Sequence, residues 1–300
     1  MSTTALPAPV ARLPEPPLKR AIDALTAAAG LVAASPVLLP VMFLVWKQDR
    51  HSPFYVASRV GRDGAPFRMV KLRSMIVNAD ASGVDSTGAA DSRITPVGQF
   101  IRRYKLDEVT QLWNVLKGEM SLVGPRPNVQ RETDLYTSQE RRLLAVKPGI
   151  TDFASIVFSD EGDILEHEDD PDVAYNQLIR PGKSRLGLFY IDHRSLGLDA
   201  RLVGLTVVAI ASRPWALRGV VKLLRKLGAE EQLVAIAARE RGLVPMPPPG
   251  SCTIVTTRDE RVPDDTGQDG VLGTGGESSL RNELVLTDNC VSMTKPRGGE

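Results

Sequence analysis

An adjacent pair of carboxylates, Asp107 and Glu108, lies within the stretch RRYKLDEVTQLWNVLKGEMSLVGPRP at residues 102–127. Arg102 precedes the pair, and Arg126 follows it between two prolines that stiffen the chain on both sides. Guanidinium groups bind phosphate through paired hydrogen bonds. An ionised carboxylate can act as a nucleophile or as a magnesium ligand. The pattern therefore predicts chemistry at a phosphoryl group.

The two carboxylates are neighbours on a helix that the sequence predicts over residues 106–117, with Gly118 at its end. Their side chains therefore diverge by about 100°, which suits a division of labour between the reacting atom and a metal ion. The helix dipole and the nearby cations favour negative charge, so we expect Asp107 and Glu108 to be ionised at neutral pH. Without its neighbours, such a pair is more typical of simple helix capping.

A β-hairpin is predicted upstream, over residues 53–75, with its turn at Asp63 and Gly64. Side chains two residues apart share one face of a strand, so Lys71 and Arg73 are expected to project together. The hairpin would then present two cations on the same side.

The segment between the hairpin and the acid pair is predicted to hold a loop and a helix. Residues 76–92 have the composition of a mobile loop. Thr95 followed by Pro96 is typical of an N-cap and a first helical residue. Within residues 106–117, an apolar stripe that includes Trp113 is predicted to face the core.

Residues 21–46 form an apolar run in which Asp23 is the only charge. The run is long enough to cross a bilayer as a helix, which takes about 20 apolar residues. Ser35 and Pro36 near its middle predict a break, because proline removes a backbone donor and kinks a helix. Basic residues flank both ends, so neither end is favoured for export. We expect a re-entrant helix–break–helix over residues 18–50, with a proline-kinked spanning helix as the alternative.

Composition and periodicity predict the other segments. Residues 1–17 and 245–300 are rich in Pro or in Gly, Pro and Ser, and are predicted to be disordered. Residues 51–212 are expected to form the catalytic domain, including a strand near 186–191. Residues 213–244 predict basic amphipathic helices, either at the membrane interface or against the protein core. The fold class is therefore α+β, a membrane-anchored monotopic domain with a small β-hairpin or sheet and surrounding, partly interfacial, helices.

Charge is distributed unevenly along the chain. Residues 1–150 carry 20 Lys and Arg against 13 Asp and Glu, whereas residues 151–300 carry 17 against 23. A basic first half suits phosphate or lipid headgroups, although a solvated basic surface gives the same balance. Cys252 and Cys290 form no disulfide framework or zinc motif, which favours a cytoplasmic-facing catalytic region. Nucleic acid is not an expected partner, because no binding motif accompanies the basic residues.

The stretch at residues 102–127 resembles the bacterial sugar transferase family, the monotopic polyprenyl-phosphate phosphoglycosyl transferases. The resemblance covers residues 19–212, and it is densest over 54–127 and at KPGIT, residues 147–151. It implies a re-entrant membrane helix broken at a Ser-Pro pair, which Ser35-Pro36 matches. It also implies a location at the cytoplasmic face of the cell inner membrane.

In that family the aspartate of the acid pair attacks the β-phosphate of a UDP-sugar and releases UMP. The phospho-sugar then passes to polyprenyl (undecaprenyl) phosphate, which begins exopolysaccharide, O-antigen or other glycoconjugate synthesis. The resemblance implies that Asp107 is the nucleophile and that Glu108 binds Mg²⁺. The basic positions that it implies for phosphate binding are Lys71, Arg73, Arg102 and Arg126. The implied partners are the UDP-sugar donor, the lipid-linked acceptor and membrane lipids, with the oligomeric state left open.

The chain departs from the family pattern in two places. Lys105 stands where members often carry serine, and Asp152-Phe-Ala-Ser-Ile follows KPGIT where many continue Gly-Trp-Ala-Gln-Val. These departures leave the identity of the sugar open. The alternative functions are a non-catalytic membrane adaptor of the same fold and a metal-dependent phosphohydrolase, in which water replaces the lipid phosphate.

Overall fold

The computed structural model describes residues 12–79, 91–166, 168–258 and 260–264. Within these ranges the strands are β1 (Phe54–Val60), β2 (Pro66–Leu72), β3 (Ser121–Val123) and β4 (Gly149–Thr151). The helices of the first half are α1 (Pro17–Asp49), α2 (Pro96–Arg103), α3 (Leu106–Val109), α4 (Leu112–Lys117), α5 (Gln130–Asp134) and α6 (Ser138–Arg141). Those of the second half are α7 (Phe153–Val157), α8 (Glu161–Leu165), α9 (Pro171–Ala174), α10 (Arg180–His193), α11 (Leu196–Ala211), α12 (Arg213–Lys226) and α13 (Glu231–Ala238).

The predicted β-hairpin is confirmed. β1 and β2 pair in antiparallel fashion, with Phe54 opposite Leu72. Asp63 and Gly64 adopt φ angles of 63° and 76° in the turn between them. Aspartate and glycine tolerate this left-handed conformation better than most residues, so the sequence itself specifies where the chain reverses.

Side chains near the acid pair bind the outer edge of β2. Asn114 Oδ1 accepts a hydrogen bond from the Val70 amide at 2.9 Å, and its Nδ2 donates to the Arg68 carbonyl at 2.7 Å. Thr110 Oγ1 donates to the Val70 carbonyl at 3.2 Å. Because buried backbone groups need partners, polar side chains occupy this contact. It holds α3 and α4 directly against the hairpin.

The helix predicted over residues 106–117 is divided in two. α3 and α4 are separated at residues 110–111, and Gly118 ends α4 in the left-handed conformation (φ 86°). Trp113, which was predicted to face the core, is 51% exposed. The prediction was wrong because the backbone edge of β2 selects Asn114, rather than an apolar side chain, for the buried face.

The main core lies in the second half of the chain, where α7, α10, α11, α12 and α13 pack together. The strand predicted near residues 186–191 is wrong, since these residues belong to α10. Leu186, Leu188, Tyr190 and Ile191 are all buried. A helix that is buried on several sides loses its apolar periodicity, and its short apolar run then looks like a strand.

β3 and β4 pair in parallel, and this pairing brings together two distant parts of the chain. Ser121 lies opposite Gly149. A Cβ atom at Gly149 would lie 2.1 Å from the Gly124 nitrogen, so glycine is required for this approach. The segment that follows β3, which includes Arg126, consequently runs beside β4.

The apolar face of α12 is part of the main core. Ala216, Val220 and Leu224 are fully buried. On the other side, Trp215 is exposed and the Arg218 guanidinium lies 4.5 Å from its ring centroid. Of the two alternatives for this amphipathic helix, packing of its apolar face against the protein is the one observed.

α1 runs without interruption over Pro17–Asp49, with Pro36 and Pro40 inside it. The predicted break at Ser35-Pro36 is not confirmed. Ser35 Oγ donates a hydrogen bond to the Val32 carbonyl at 2.7 Å. This carbonyl is the one that Pro36, which has no N–H, leaves without its helical partner.

Both halves of α1 pack against the same domain. Near its start, Arg20 donates to the carbonyls of Val115 and Leu116, in the last turn of α4, at 2.6 and 2.7 Å. Asp23 is buried and accepts a hydrogen bond from Ser121 Oγ at 2.7 Å. Toward the other end, one apolar cluster joins α1 to β2 and α2: Leu38, Val41, Val45, Leu72 and Ile101.

The opposite face of α1 is apolar and exposed. Its exposed large side chains include Leu25 (71%), Val32 (73%), Leu39 (61%) and Phe43 (57%). By length and composition alone, α1 could cross a membrane, and only 17% of its most apolar window is buried within the protein.

The start of the C-terminal segment differs from the prediction of a disordered tail. The Met246 amide donates to the Gln177 carbonyl at 3.1 Å, and Gln177 Nε2 donates to the Val255 carbonyl at 2.7 Å. Val255 is fully buried. Residues 245–258 and 260–264 therefore lie against the domain, because a polar, proline-rich segment can still be held by backbone hydrogen bonds.

Other predictions about order fall partly outside the described residues, namely those for residues 1–11, 80–90 and 265–300. In the part of the N-terminus that is described, the Leu13 amide donates to the Ala145 carbonyl at 3.1 Å. The predicted N-cap is confirmed, since Thr95 Oγ1 accepts a hydrogen bond from the Gly98 amide at 2.9 Å.

Candidate active site

The acid pair occupies the single turn of α3, where both side chains are half-buried. Lys105 precedes it in a left-handed conformation (φ 55°), which turns the chain between α2 and α3. Thr110 Oγ1, already bonded to β2, also lies 3.0 Å from the Asp107 carbonyl. The backbone of the acid pair is thereby fixed to the strand that carries Lys71.

Glu108 and Arg126 are in direct contact. Arg126 Nη1 lies 3.1 Å from Glu108 Oε1, and the same nitrogen donates to the Ile150 carbonyl of β4 at 3.0 Å. Flanking prolines restrict the backbone of Arg126. The guanidinium is therefore held in place from both the backbone and the side-chain end.

The two carboxylates differ in their electrostatic environment. Burial by itself would raise the pKa of Glu108, but the charges of Arg126, Lys105 and Lys71 outweigh it, so that pKa lies below its ordinary value. Burial, reinforced by the neighbouring Glu108, raises the pKa of Asp107 despite the same cations.

We expected the cations to favour the charged form of both groups, and the pKa of Asp107 moves in the other direction. The physical reason is that Glu108 has a direct guanidinium contact to offset its desolvation. A desolvated carboxylate without such a contact is less stabilised in its ionised form. The two carboxylates therefore have different environments, and the division of labour between them stays a prediction.

Lys71 lies close to this group on β2. Burial, together with the charge of Arg126, lowers the pKa of Lys71 to about 8, while Asp107 and Glu108 act in the opposite direction. The charge of Arg59 on β1 also lowers it. The sequence analysis does not single out Arg59. Its place on β1, the strand that pairs with the one carrying Lys71, was a usable signal.

Arg102 belongs to the same site. It lies in the last turn of α2, and its Nε donates to Ser74 Oγ at 3.1 Å. Burial lowers the pKa of Arg102, and the charge of Asp107 counteracts this. The structure therefore brings Arg102, Lys71 and Arg126 together around the acid pair.

Arg73 and the Ser35-Pro36 pair occupy other parts of the fold. β2 ends at Leu72, and beyond it the Arg73 guanidinium forms two hydrogen bonds with Asp49, including Nη2 to Oδ1 at 2.7 Å. Arg73 is 8% exposed, and its hydrogen bonds lower the pKa of Asp49. Arg73 thus binds the end of α1. It does not share a face with Lys71, because the alternation of side chains stops where β2 ends.

A divalent cation at this site would meet the two carboxylates of α3. No cluster of three or more His, Cys, Asp or Glu side chains suited to a metal occurs among the described residues. Mg²⁺ commonly uses one or two carboxylates and completes its shell with water and substrate phosphates. Glu108, whose lowered pKa keeps it ionised at neutral pH, fits that mode of binding beside Asp107.

Arg126 also lines a polar pocket that the sequence reasoning did not find. Its polar lining includes Arg126, Tyr136, Asp152, Tyr175 and Lys183. The departure of Asp152 from the family pattern is the available signal, but the other lining residues come from the segment after α5, from α7, from the turn after α9 and from α10, which are distant in sequence.

Several known proteins are similar to this chain in sequence. A protein named UDP-galactose-lipid carrier transferase from Erwinia amylovora is 40% identical over 149 residues, 45% of this chain and 31% of the relative. An exopolysaccharide production protein, ExoY, from Sinorhizobium fredii is 40% identical over 148 residues, 44% of this chain and 66% of the relative. A UDP-N-acetylgalactosamine-undecaprenyl-phosphate N-acetylgalactosaminephosphotransferase from Aeromonas hydrophila is 32% identical over 196 residues, 64% of this chain and 43% of the relative.

The matched region is thus between 31% and 66% of the length of these three relatives. A broader match comes from the family itself. The family model described as bacterial sugar transferase matches residues 15–213, which include α1, the hairpin, the acid pair and the polar pocket. Since that match covers well over half of the chain, the protein belongs to the bacterial sugar transferase family.

Proposed function

We propose that this protein transfers a sugar 1-phosphate from a UDP-sugar to polyprenyl phosphate, the first step in building an exopolysaccharide or related glycan. The observation that carries the proposal is the gathering of Lys71, Arg102 and Arg126 around the acid pair on α3. The relatives' names support it, since they mention UDP-galactose and a lipid carrier, or undecaprenyl phosphate.

In the first step, a carboxylate oxygen of Asp107 forms a bond to the β-phosphorus of the donor. The bond from that phosphorus to the bridging oxygen breaks, and UMP leaves with the electron pair. Lys71, Arg102 and Arg126 offset the charge of the diphosphate, which otherwise repels the attacking carboxylate. Mg²⁺ held by Glu108 would supply further charge neutralisation at the phosphate oxygens.

In the second step, an oxygen of the acceptor phosphate forms a bond to the same phosphorus. The bond between phosphorus and Asp107 breaks, so the carboxylate is restored and the sugar 1-phosphate is attached to the lipid. Water must be kept from attacking in place of the acceptor, and the half-buried position of Asp107 suits this requirement.

A lipid-linked acceptor also requires the site to stay at a membrane surface. α1 presents an exposed apolar face, and both of its ends contact the one domain. A helix that crossed the bilayer would carry its ends about 40–45 Å apart, to opposite sides. We therefore propose that α1 enters the cytoplasmic leaflet of the inner membrane with both ends on the cytoplasmic side.

The decisive experiment is Asp107→Asn in the full-length protein in membranes. UMP release from UDP-sugars should fall by about 10³-fold or more, because the attacking atom is lost. The exposed Asp192 on α10 provides the matched control, and Asp192→Asn should retain activity. Mass spectrometry of the wild-type protein with donor alone should show a phospho-sugar on Asp107.

Full activity in Asp107→Asn would refute the assignment of the nucleophile. UMP release without an adduct would indicate direct transfer. Donor cleavage that needs no acceptor and yields free sugar phosphate would favour the phosphohydrolase. No turnover of any UDP-sugar by the wild-type protein would favour the membrane adaptor.

A further inference from the structure

A buried carboxylate in the pocket beside Arg126 has one oxygen without a protein partner. Asp152 is 1% exposed and caps α7, where its Oδ1 accepts hydrogen bonds from the Ser155 amide at 2.7 Å and from Ser155 Oγ at 2.6 Å. Its Oδ2 accepts no hydrogen bond from the part of the chain that the structure describes. An oxygen that no protein donor satisfies, in a residue that lines the pocket, can accept a hydrogen bond from a bound molecule.

Two phenols in the same pocket are also incompletely bonded. Tyr175 is 7% exposed, and its hydroxyl makes no hydrogen bond to the described residues. Tyr136 Oη accepts a hydrogen bond from Asn128 Nδ2 at 2.9 Å, which leaves its own proton free to donate. Burial raises the pKa of Tyr175 well above its ordinary value, so its hydroxyl stays a donor at neutral pH.

The lining of the pocket therefore includes a carboxylate acceptor and two hydroxyl donors. An ionised phosphate group could pair with the cations of the lining, but it only accepts hydrogen bonds and so cannot satisfy Asp152 Oδ2. A ring hydroxyl both donates and accepts hydrogen bonds, so adjacent hydroxyls could satisfy the carboxylate and a phenol at once. The chemistry that fits is a polyhydroxylated ring.

We propose that this pocket binds the sugar ring of the donor, with Asp152 Oδ2 accepting a hydrogen bond from a sugar hydroxyl and Tyr175 donating to another. The inference rests on the proposed function, because it takes the β-phosphorus to lie at Asp107. It makes Asp152 a specificity-determining residue for the sugar.

The place of Arg126 favours the sugar over the ribose of the nucleotide. Arg126 contacts Glu108 of the acid pair and also lines the pocket. One guanidinium group therefore separates the pocket from the carboxylates. The sugar is joined to the β-phosphorus through one oxygen, whereas the ribose lies beyond the α-phosphate. The group closest to the reacting phosphorus is the one that enters the pocket.

The test uses Asp152→Asn in the full-length, membrane-bound protein with polyprenyl phosphate. Asparagine keeps Oδ1 as the cap of α7 and replaces Oδ2 with a donor, so the fold is retained while the proposed contact is reversed. Rates of UMP release are measured with two epimer pairs, UDP-glucose and UDP-galactose, and their N-acetylated counterparts. UMP serves as an inhibitor that contains the ribose but lacks the sugar that the donor transfers.

We expect kcat/KM for the best donor to fall at least tenfold, and the preference between that donor and its epimer to shrink. The inhibition constant of UMP should change by less than about twofold. Tyr175→Phe should show a smaller loss with the same dependence on the sugar. Asp192→Asn, which changes a carboxylate on the exposed surface of α10, should match the wild type.

Two results would overturn the inference while leaving the proposed function intact. Unchanged KM values and donor preference in both pocket variants would show that the sugar binds elsewhere. Equal weakening of the donor and of UMP would place the ribose in the pocket instead. If the wild-type protein turned over no UDP-sugar, the proposed function would fail first and this inference with it.

Discussion

Lys71 should give the enzyme an unusual sensitivity to alkaline pH. Its pKa is lowered to about 8 by burial and by the nearby Arg126, whereas an ordinary lysine side chain titrates near 10.4. In the proposed reaction the donor is a polyanion, and Lys71 would bind it in the charged form. Because a depressed lysine pKa means that the charge is lost as pH rises, activity should fall above pH 8.

The size of the effect follows from the titration curve. With a pKa of about 8, about nine tenths of Lys71 is charged at pH 7 and about one tenth at pH 9. If only the charged form binds donor productively, kcat/KM should fall about tenfold between these two values. An unperturbed lysine would remain almost fully charged at pH 9, and kcat/KM would then be flat.

The measurement is kcat/KM for the UDP-sugar, from UMP release at saturating acceptor, between pH 6.5 and 9.5. The diphosphate of the donor has no titration in this range, and the uracil N3–H titrates only toward its alkaline end, so a limb near pH 8 reports on the protein. Bound phosphate should raise the pKa of Lys71, and the alkaline limb of kcat alone should therefore lie at higher pH. Lys71→Arg keeps a cation that does not lose its proton, and its limb near pH 8 should disappear.

A flat wild-type profile up to pH 9.5 would refute the reasoning, because Lys71 would then be either unperturbed or irrelevant to donor binding. The same limb in Lys71→Arg would assign the titration to another group. Either outcome would show that the loss of charge on Lys71 does not control donor binding.

Two further predictions separate anchoring from chemistry. Arg73→Met should lower the melting temperature, because Arg73 binds Asp49 at the end of α1. The donor KM should stay within about twofold of the wild-type value. A large rise in KM without loss of stability would instead indicate that Arg73 belongs to the phosphate site. Single cysteines can be placed at Arg12 and Ser52 in a protein that lacks Cys252 and Cys290. Both should be labelled from the cytoplasmic side of oriented vesicles. Labelling of the Arg12 position from the opposite side would indicate that α1 spans the bilayer.

Local chemistry explains which parts of the fold were predictable. The turn at Asp63 and Gly64 and the cap at Thr95 depend on residues that are close in sequence, and both predictions are confirmed. The division of the helix after α3 depends on the free backbone edge of β2, which lies about 40 residues upstream, as the Val70–Thr110 contact shows. No periodicity within the helix reports such a contact.

The same distinction applies to the site. The acid pair, Arg102 and Arg126 could be found because they occur within one short stretch. Arg73 was placed with Lys71 by alternation, which held only as far as the end of β2 at Leu72. The polar pocket joins residues of α7 and α10 to residues of the connecting segments, including Arg126, Tyr136 and Tyr175, so only the packing of the main core reveals it.

The burial of α12 shows that the folded domain extends beyond the region shared with the family. The region shared with the family stops at residue 213, one turn before Ala216, which is fully enclosed together with Val220 and Leu224. The shared catalytic region thus depends on apolar surface supplied by the segment that follows it. The family match and the folded domain therefore end at different residues in this chain.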